Sequence, residues 1–169
     1  MTTIRRILLK TTGAWLLGAA GPARALDKPA GAVVLTVAGR VRSPNADAVA
    51  NFDMAMLERM PQTSFTTRTP WYAHARKFTG PLLRDVLSLA GASGSTLRAV
   101  ALNDYWVEIP AEDVAQYDVI VARLLDDKPM AVRDKGPLFV IYPFDARPEL
   151  RNPVYYSRSA WQLRTIEVR

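Results

Sequence analysis

Cysteine is absent from the chain, and histidine occurs once, as His74. The first absence excludes a disulfide framework, a thiolate zinc site, a cysteine nucleophile and an iron–sulfur cluster held by this chain. A lone histidine excludes multi-histidine metal sites and weighs against a histidine-based triad. No Gly-x-Ser-x-Gly elbow occurs. Gly91-Ala92-Ser93-Gly94 lacks both the lysine and the following helix of a phosphate-binding loop. Internal repeats, low-complexity tracts and runs of five or six like charges are missing as well.

The formal net charge of +6 points toward nucleic acid or anionic membranes only until its distribution is read. Arg5, Arg6, Lys10 and Arg24 stand in residues 1–25 without an acid, which leaves 18 basic against 16 acidic side chains, a balance of +2, interspersed over the rest. Nucleic-acid binding is not expected from such a pattern.

Residues 1–25 read as a cleaved export signal. A basic start is followed by a short apolar stretch, Thr11 to Ala20, and then by the small-x-small pattern Ala23-Arg24-Ala25. The stretch is shorter than the roughly 20 apolar residues of a membrane span. The expected product is a periplasmic protein that does not itself span the membrane. Ile4-Arg5-Arg6-Ile7-Leu8 also resembles a twin-arginine signal, with Ile4 for the usual polar residue and Leu8 for the usual Phe. That route and the general secretory one both fit.

Beyond the signal, residues 26–32 form a Pro/Gly/Ala linker and residues 33–169 a single domain, as the 169-residue length predicts. With 49% hydrophobic and 22% charged residues the balance is that of a globular protein. Strands are predicted over 33–41, 97–102, 105–109, 119–124, 138–142 and 163–168, and an extended polar stretch over 63–69. Phe52, Met56 and Met60 recur at helical spacing before Pro61. A clearer helix is predicted from Pro81, with Leu82, Leu83, Val86, Leu87 and Ala90 on one face and Gly91 as its stop. One helical turn is predicted over 111–115, and turns at Asn103-Asp104 and at Asp126-Asp127-Lys128-Pro129. Eleven of the 12 prolines lie beyond residue 25, too many for long helices. The expected fold class is α+β: one compact domain of mixed β-sheet with a few short helices.

Few residues suggest chemistry outright. Glu108, Glu112, Asp113, Asp126 and Asp127 have no spacing that forces two of them together, and solvated roles are expected. His74, in an Arg/Lys-flanked loop, reads as a surface residue. The octet from Tyr155 to Gln162 is more informative, because it gathers aromatic rings, hydroxyls and a guanidinium. Rings stack on planar heterocycles and arginine forks onto oxygens. Arg68-Thr69-Pro70-Trp71-Tyr72 repeats the mixture. Core packing explains the same aromatics equally well.

Four segments then share one resemblance. Val37-Ala38-Gly39-Arg40-Val41, Phe78 to Leu87 (FTGPLLRDVL), Gly136 to Pro143 (GPLFVIYP) and Ser157 to Val168 (SRSAWQLRTIEV) resemble, in order, the molybdopterin-binding domain of the sulfite oxidase family. Two departures matter. That family binds molybdenum through a cysteine thiolate, which this chain lacks, and Ser or Thr does not replace a soft ligand. Where the family's final motif carries a cofactor-holding lysine, this chain has Trp161.

The resemblance therefore implies a pterin-sized pocket without the metal. The ligand class is a reduced pterin or a molybdopterin-like pterin, with molybdenum not expected. Trp161 would stack on the ring, Arg158 and Ser159 would donate to its polar edge, and Arg68, Trp71, Asn103, Tyr105 and Tyr155 would complete the walls. Small periplasmic relatives of this kind bind reduced pterins and report to a membrane-bound diguanylate cyclase/phosphodiesterase. The implied partner is thus the periplasmic domain of a membrane-bound signalling protein. A molybdopterin-dependent oxidoreductase, holding its metal through the dithiolene or a partner's ligand, is the alternative, and a scaffold that has lost the pocket is a third.

Overall fold

The structure is a computed structural model that describes residues 26–169. The export signal read over residues 1–25 lies outside the described residues.

Three small sheets and four short helices build an α+β domain. In the five-stranded sheet, β1 (Val33–Gly39) runs between β2 (Ala50–Asp53) and β11 (Leu163–Val168), and the order continues through β5 (Thr96–Ala101) to β6 (Trp106–Pro110). Only the β1–β11 pair is parallel, with Val37 opposite Ile166. A four-stranded sheet orders β3 (Gln62–Thr67), β4 (Arg76–Pro81), β8 (Leu124–Leu125) and β9 (Lys128–Pro129). The third sheet pairs β7 (Ile120–Ala122) with β10 (Phe139–Ile141). Every residue of these last two strands is buried, as expected for apolar runs covered on both faces. The helices are α1 (Met54–Arg59), α2 (Leu83–Leu89), α3 (Ala111–Gln116) and α4 (Pro153–Arg158).

Several boundaries differ from the sequence reading, each for a local reason. Phe52 belongs to β2 rather than to the helix, because Asp53 caps α1: its carboxylate accepts the Met56 N–H at 2.8 Å. Pro81 ends β4 instead of opening α2, whose first residue is Leu83. Along α2, Leu83, Val86 and Ala90 are buried, whereas Leu82 and Leu87 are only partly so. β4 itself falls in a segment read as loop and helix start. It needs glycine at position 80, where a Cβ would collide with the Val121 carbonyl of the buried third sheet. The Asp126-Asp127 turn joins β8 to β9 with φ of 48° and 63°, as a tight hairpin requires.

The segment over residues 26–32 is tied to the domain. Leu26 is buried, and the Ala30 and Gly31 N–H groups each donate to Asp53 at 2.8 Å. Asp53 therefore accepts three backbone N–H groups, and its carboxyl is held below the usual range chiefly by Gly31, then by Met56. A carboxyl with a lowered folded pKa contributes stability above its unfolded value of about 3.9, and loses it as pH falls through the folded one. Acid titration of the melting temperature should thus show a steeper loss below about pH 4 in the wild type than in Asp53→Asn. Parallel curves would contradict the assignment.

Candidate functional site

Four parts of the chain meet at a cleft of about 430 Å3, lined by Trp71, Asn103, Tyr105, Tyr156, Ser157, Ser159, Ala160 and Trp161. Trp71 comes from the loop between β3 and β4. Asn103 and Tyr105 come from the β5–β6 turn, where Asp104 takes a left-handed φ of 64° and Asn103 Oδ1 accepts the Tyr105 N–H at 3.2 Å. Tyr156 and Ser157 lie in the last turn of α4, and Ser159 to Trp161 form the short bridge from α4 into β11.

That bridge is held like a strand. Val140 N–H donates to the Ala160 carbonyl and Leu163 N–H to the Leu138 carbonyl, both at 2.9 Å, so Trp161 lies opposite Phe139. Trp71 packs on Phe139 at 5.4 Å between centroids, and edge-on against Trp161 at 5.6 Å and Tyr156 at 6.2 Å. The cleft wall is thus continuous with the apolar core, and Trp71, Tyr156 and Trp161 are each only partly buried. Tyr105, also part of the lining, is 55% exposed. Lys135 places its ammonium 4.4 Å from the Trp161 ring centroid, a cation–π distance. Two hydroxyls edge the floor: Ser157 Oγ donates to the Val154 carbonyl at 2.7 Å and Ser159 Oγ to the Tyr155 carbonyl at 3.1 Å. Both oxygens keep lone pairs for an N–H donor. Large ring faces with a few fixed polar groups suit a planar, hydrogen-bonding heterocycle.

Of the eight residues singled out in the sequence, Trp71, Asn103, Tyr105, Ser159 and Trp161 line this cleft together. The other three lie elsewhere. Arg158 turns from the cleft to Asp113, donating to Oδ2 at 2.8 Å, with only 22% of its side chain exposed. Tyr155 shares that side of α4, three residues earlier, and packs on Tyr142 and Tyr117 at 5.5 and 5.8 Å. Arg68 lines a neighbouring cleft with Arg151, Asp145 and Tyr156. The polar edge assigned to Arg158 is therefore corrected: its guanidinium is spent on a carboxylate 45 residues away.

The reading also missed Tyr156, Ser157 and Ala160. Asn152-Pro153 was the available signal, a capping residue followed by a first-turn proline. Asn152 accepts the Val154 N–H at 2.9 Å and starts α4 there. A helix in that phase sends Tyr155 and Arg158 one way and Tyr156 another.

Asp113, expected in solvent, is buried and also accepts the Tyr142 hydroxyl at 2.8 Å. Burial pushes the Tyr142 phenol far above its usual range, and the Asp113 charge adds to the effect. The phenol stays protonated and donates. His74 is exposed, as read. Among the described residues, no three His, Cys, Asp or Glu side chains gather as a metal-binding group, and no helix is long and apolar enough to cross a membrane. No family model and no curated protein matches the chain.

Proposed function

We propose that this is a periplasmic pterin-binding protein without catalysis of its own. The carrying observation is the convergence of Trp71, Asn103, Tyr105, Ser159 and Trp161, drawn from three distant stretches of sequence, on one cleft of about 430 Å3. Trp161 and Tyr105 supply ring faces to the bicyclic ligand. The Asn103 amide and the Ser157 and Ser159 oxygens supply donors and acceptors for its polar edge. The chain offers no thiolate to a molybdenum ion, so the donor set fits a pterin and not the metal. Occupancy is reported to the periplasmic domain of a membrane-bound diguanylate cyclase/phosphodiesterase, which must distinguish the bound from the free form for a signal to pass.

Titration with a reduced pterin, followed by tryptophan emission, tests the assignment. Trp161→Ala should weaken binding by about 1–3 kcal/mol through lost stacking and burial. Unchanged affinity in a folded variant would contradict it. Arg158→Met should change affinity far less than Trp161→Ala, because Arg158 faces Asp113.

A further inference from the structure

A second cleft, of about 400 Å3, adjoins the aromatic one but shares no lining residue with it. Two links join them: Tyr72 follows Trp71 in the chain, and Lys135 stands over the Trp161 ring. The lining of the second cleft carries Arg76, Lys128, Arg133 and Lys135 against one carboxylate, Asp134. Arg76 is ion-paired with Asp126 and Arg133 with Asp134. Lys128 and Lys135 have no carboxylate partner among the described residues.

The Tyr72 hydroxyl is a further, independent sign. Tyr72 lines this cleft, and its hydroxyl is buried with no hydrogen-bond partner among the described residues. Burial also pushes the phenol up, so that it stays a donor at neutral pH. An unpaired buried hydroxyl is costly, and an acceptor bound in the cleft would relieve that cost. The backbone beneath is fixed. Lys128 leaves the tight β8–β9 turn, and the Lys135 carbonyl accepts the Gln162 N–H at 3.0 Å.

We propose that this second cleft binds a phosphate-type dianion through the Lys128 and Lys135 ammonium groups, with the Tyr72 hydroxyl and the Arg76 guanidinium as further donors. Two ammonium groups without a carboxylate partner among the described residues balance two negative charges, and apart from Asp134 the charged groups of the lining are all donors. The assignment stands without the pterin reading, because it uses none of the residues of the aromatic cleft.

Phosphorus NMR titration of the full chain with inorganic phosphate and, separately, with glycerol 3-phosphate tests it. Saturable binding is expected, weakened about tenfold by Lys128→Gln or Lys135→Gln and about threefold by Tyr72→Phe. Arg84→Gln, outside the lining of this cleft and paired with Asp118, should change nothing. Melting temperatures of the variants establish that lost binding is not lost folding. Tighter binding of the ester would assign a phosphorylated small molecule, and equal binding free phosphate. Failure of both probes to saturate, or affinities indifferent to the two lysines, would overturn the proposal.

Discussion

Replacing Asp113 by alanine is expected to destabilise the protein by about 3 kcal/mol, the lower end for a broken buried ion pair. The carboxylate joins three elements: it sits in the first turn of α3, and a single oxygen accepts from Arg158 at the end of α4 and from the Tyr142 hydroxyl beyond β10, each at 2.8 Å. Its removal leaves a guanidinium and a phenol without their acceptor, and the cost is moderated because Arg158 keeps 22% of its side chain in solvent. Replacing both charges, Asp113→Leu with Arg158→Met, should recover more than half of the loss, since no uncompensated charge remains. Denaturant unfolding measures both. A loss below about 1 kcal/mol would mean that the pair behaves as a surface one.

The second large effect is expected at Phe139. It is fully buried, and its ring meets Trp71 at 5.4 Å, Phe78 at 5.9 Å and Trp161 at 6.1 Å. Phe139→Ala removes the common support of both tryptophans and should cost about 3–5 kcal/mol. Pterin affinity should fall as well, although Phe139 does not line the cleft, because Trp71 and Trp161 lose the surface that fixes their orientation. Phe139→Leu retains most of the volume and should cost distinctly less. Equal stability of the alanine variant and the wild type would contradict the packing described here.

Much of the fold was legible because local signals and tertiary placement agreed. β1, β5, β6, β10 and β11 alternate or run apolar as their burial requires, and the Asp126-Asp127 turn carries its own conformational preference. Illegible parts lacked such agreement. β2 has four residues, too few to show a period, and Phe52 joined a helical spacing by coincidence. β4 is buried from Phe78 to Pro81 without alternation, and its glycine reads locally as a breaker although it answers to Val121, far along the chain.

The site divides in the same way. Trp71, Ser159 and Trp161 stood in stretches marked by their rings and hydroxyls, whereas Asn103 and Tyr105 entered only through the resemblance. Which of Tyr155 and Tyr156 faces the cleft depends on where α4 begins, one residue of phase being about a quarter-turn. The pairing of Arg158 with Asp113 is a tertiary contact with no local trace. The resemblance to the sulfite oxidase family named residues in its last motif, but it could not say that this arginine's carboxylate partner lies on α3.

The most direct test of the central claim is a composition measurement. The full 169-residue chain is produced in a bacterium, purified and denatured; the released small molecule is identified by mass spectrometry, and molybdenum is measured on the same sample. Close to one pterin per chain without stoichiometric metal is expected. Stoichiometric molybdenum, or a chain that neither carries a pterin nor takes one up when it is supplied, would contradict it.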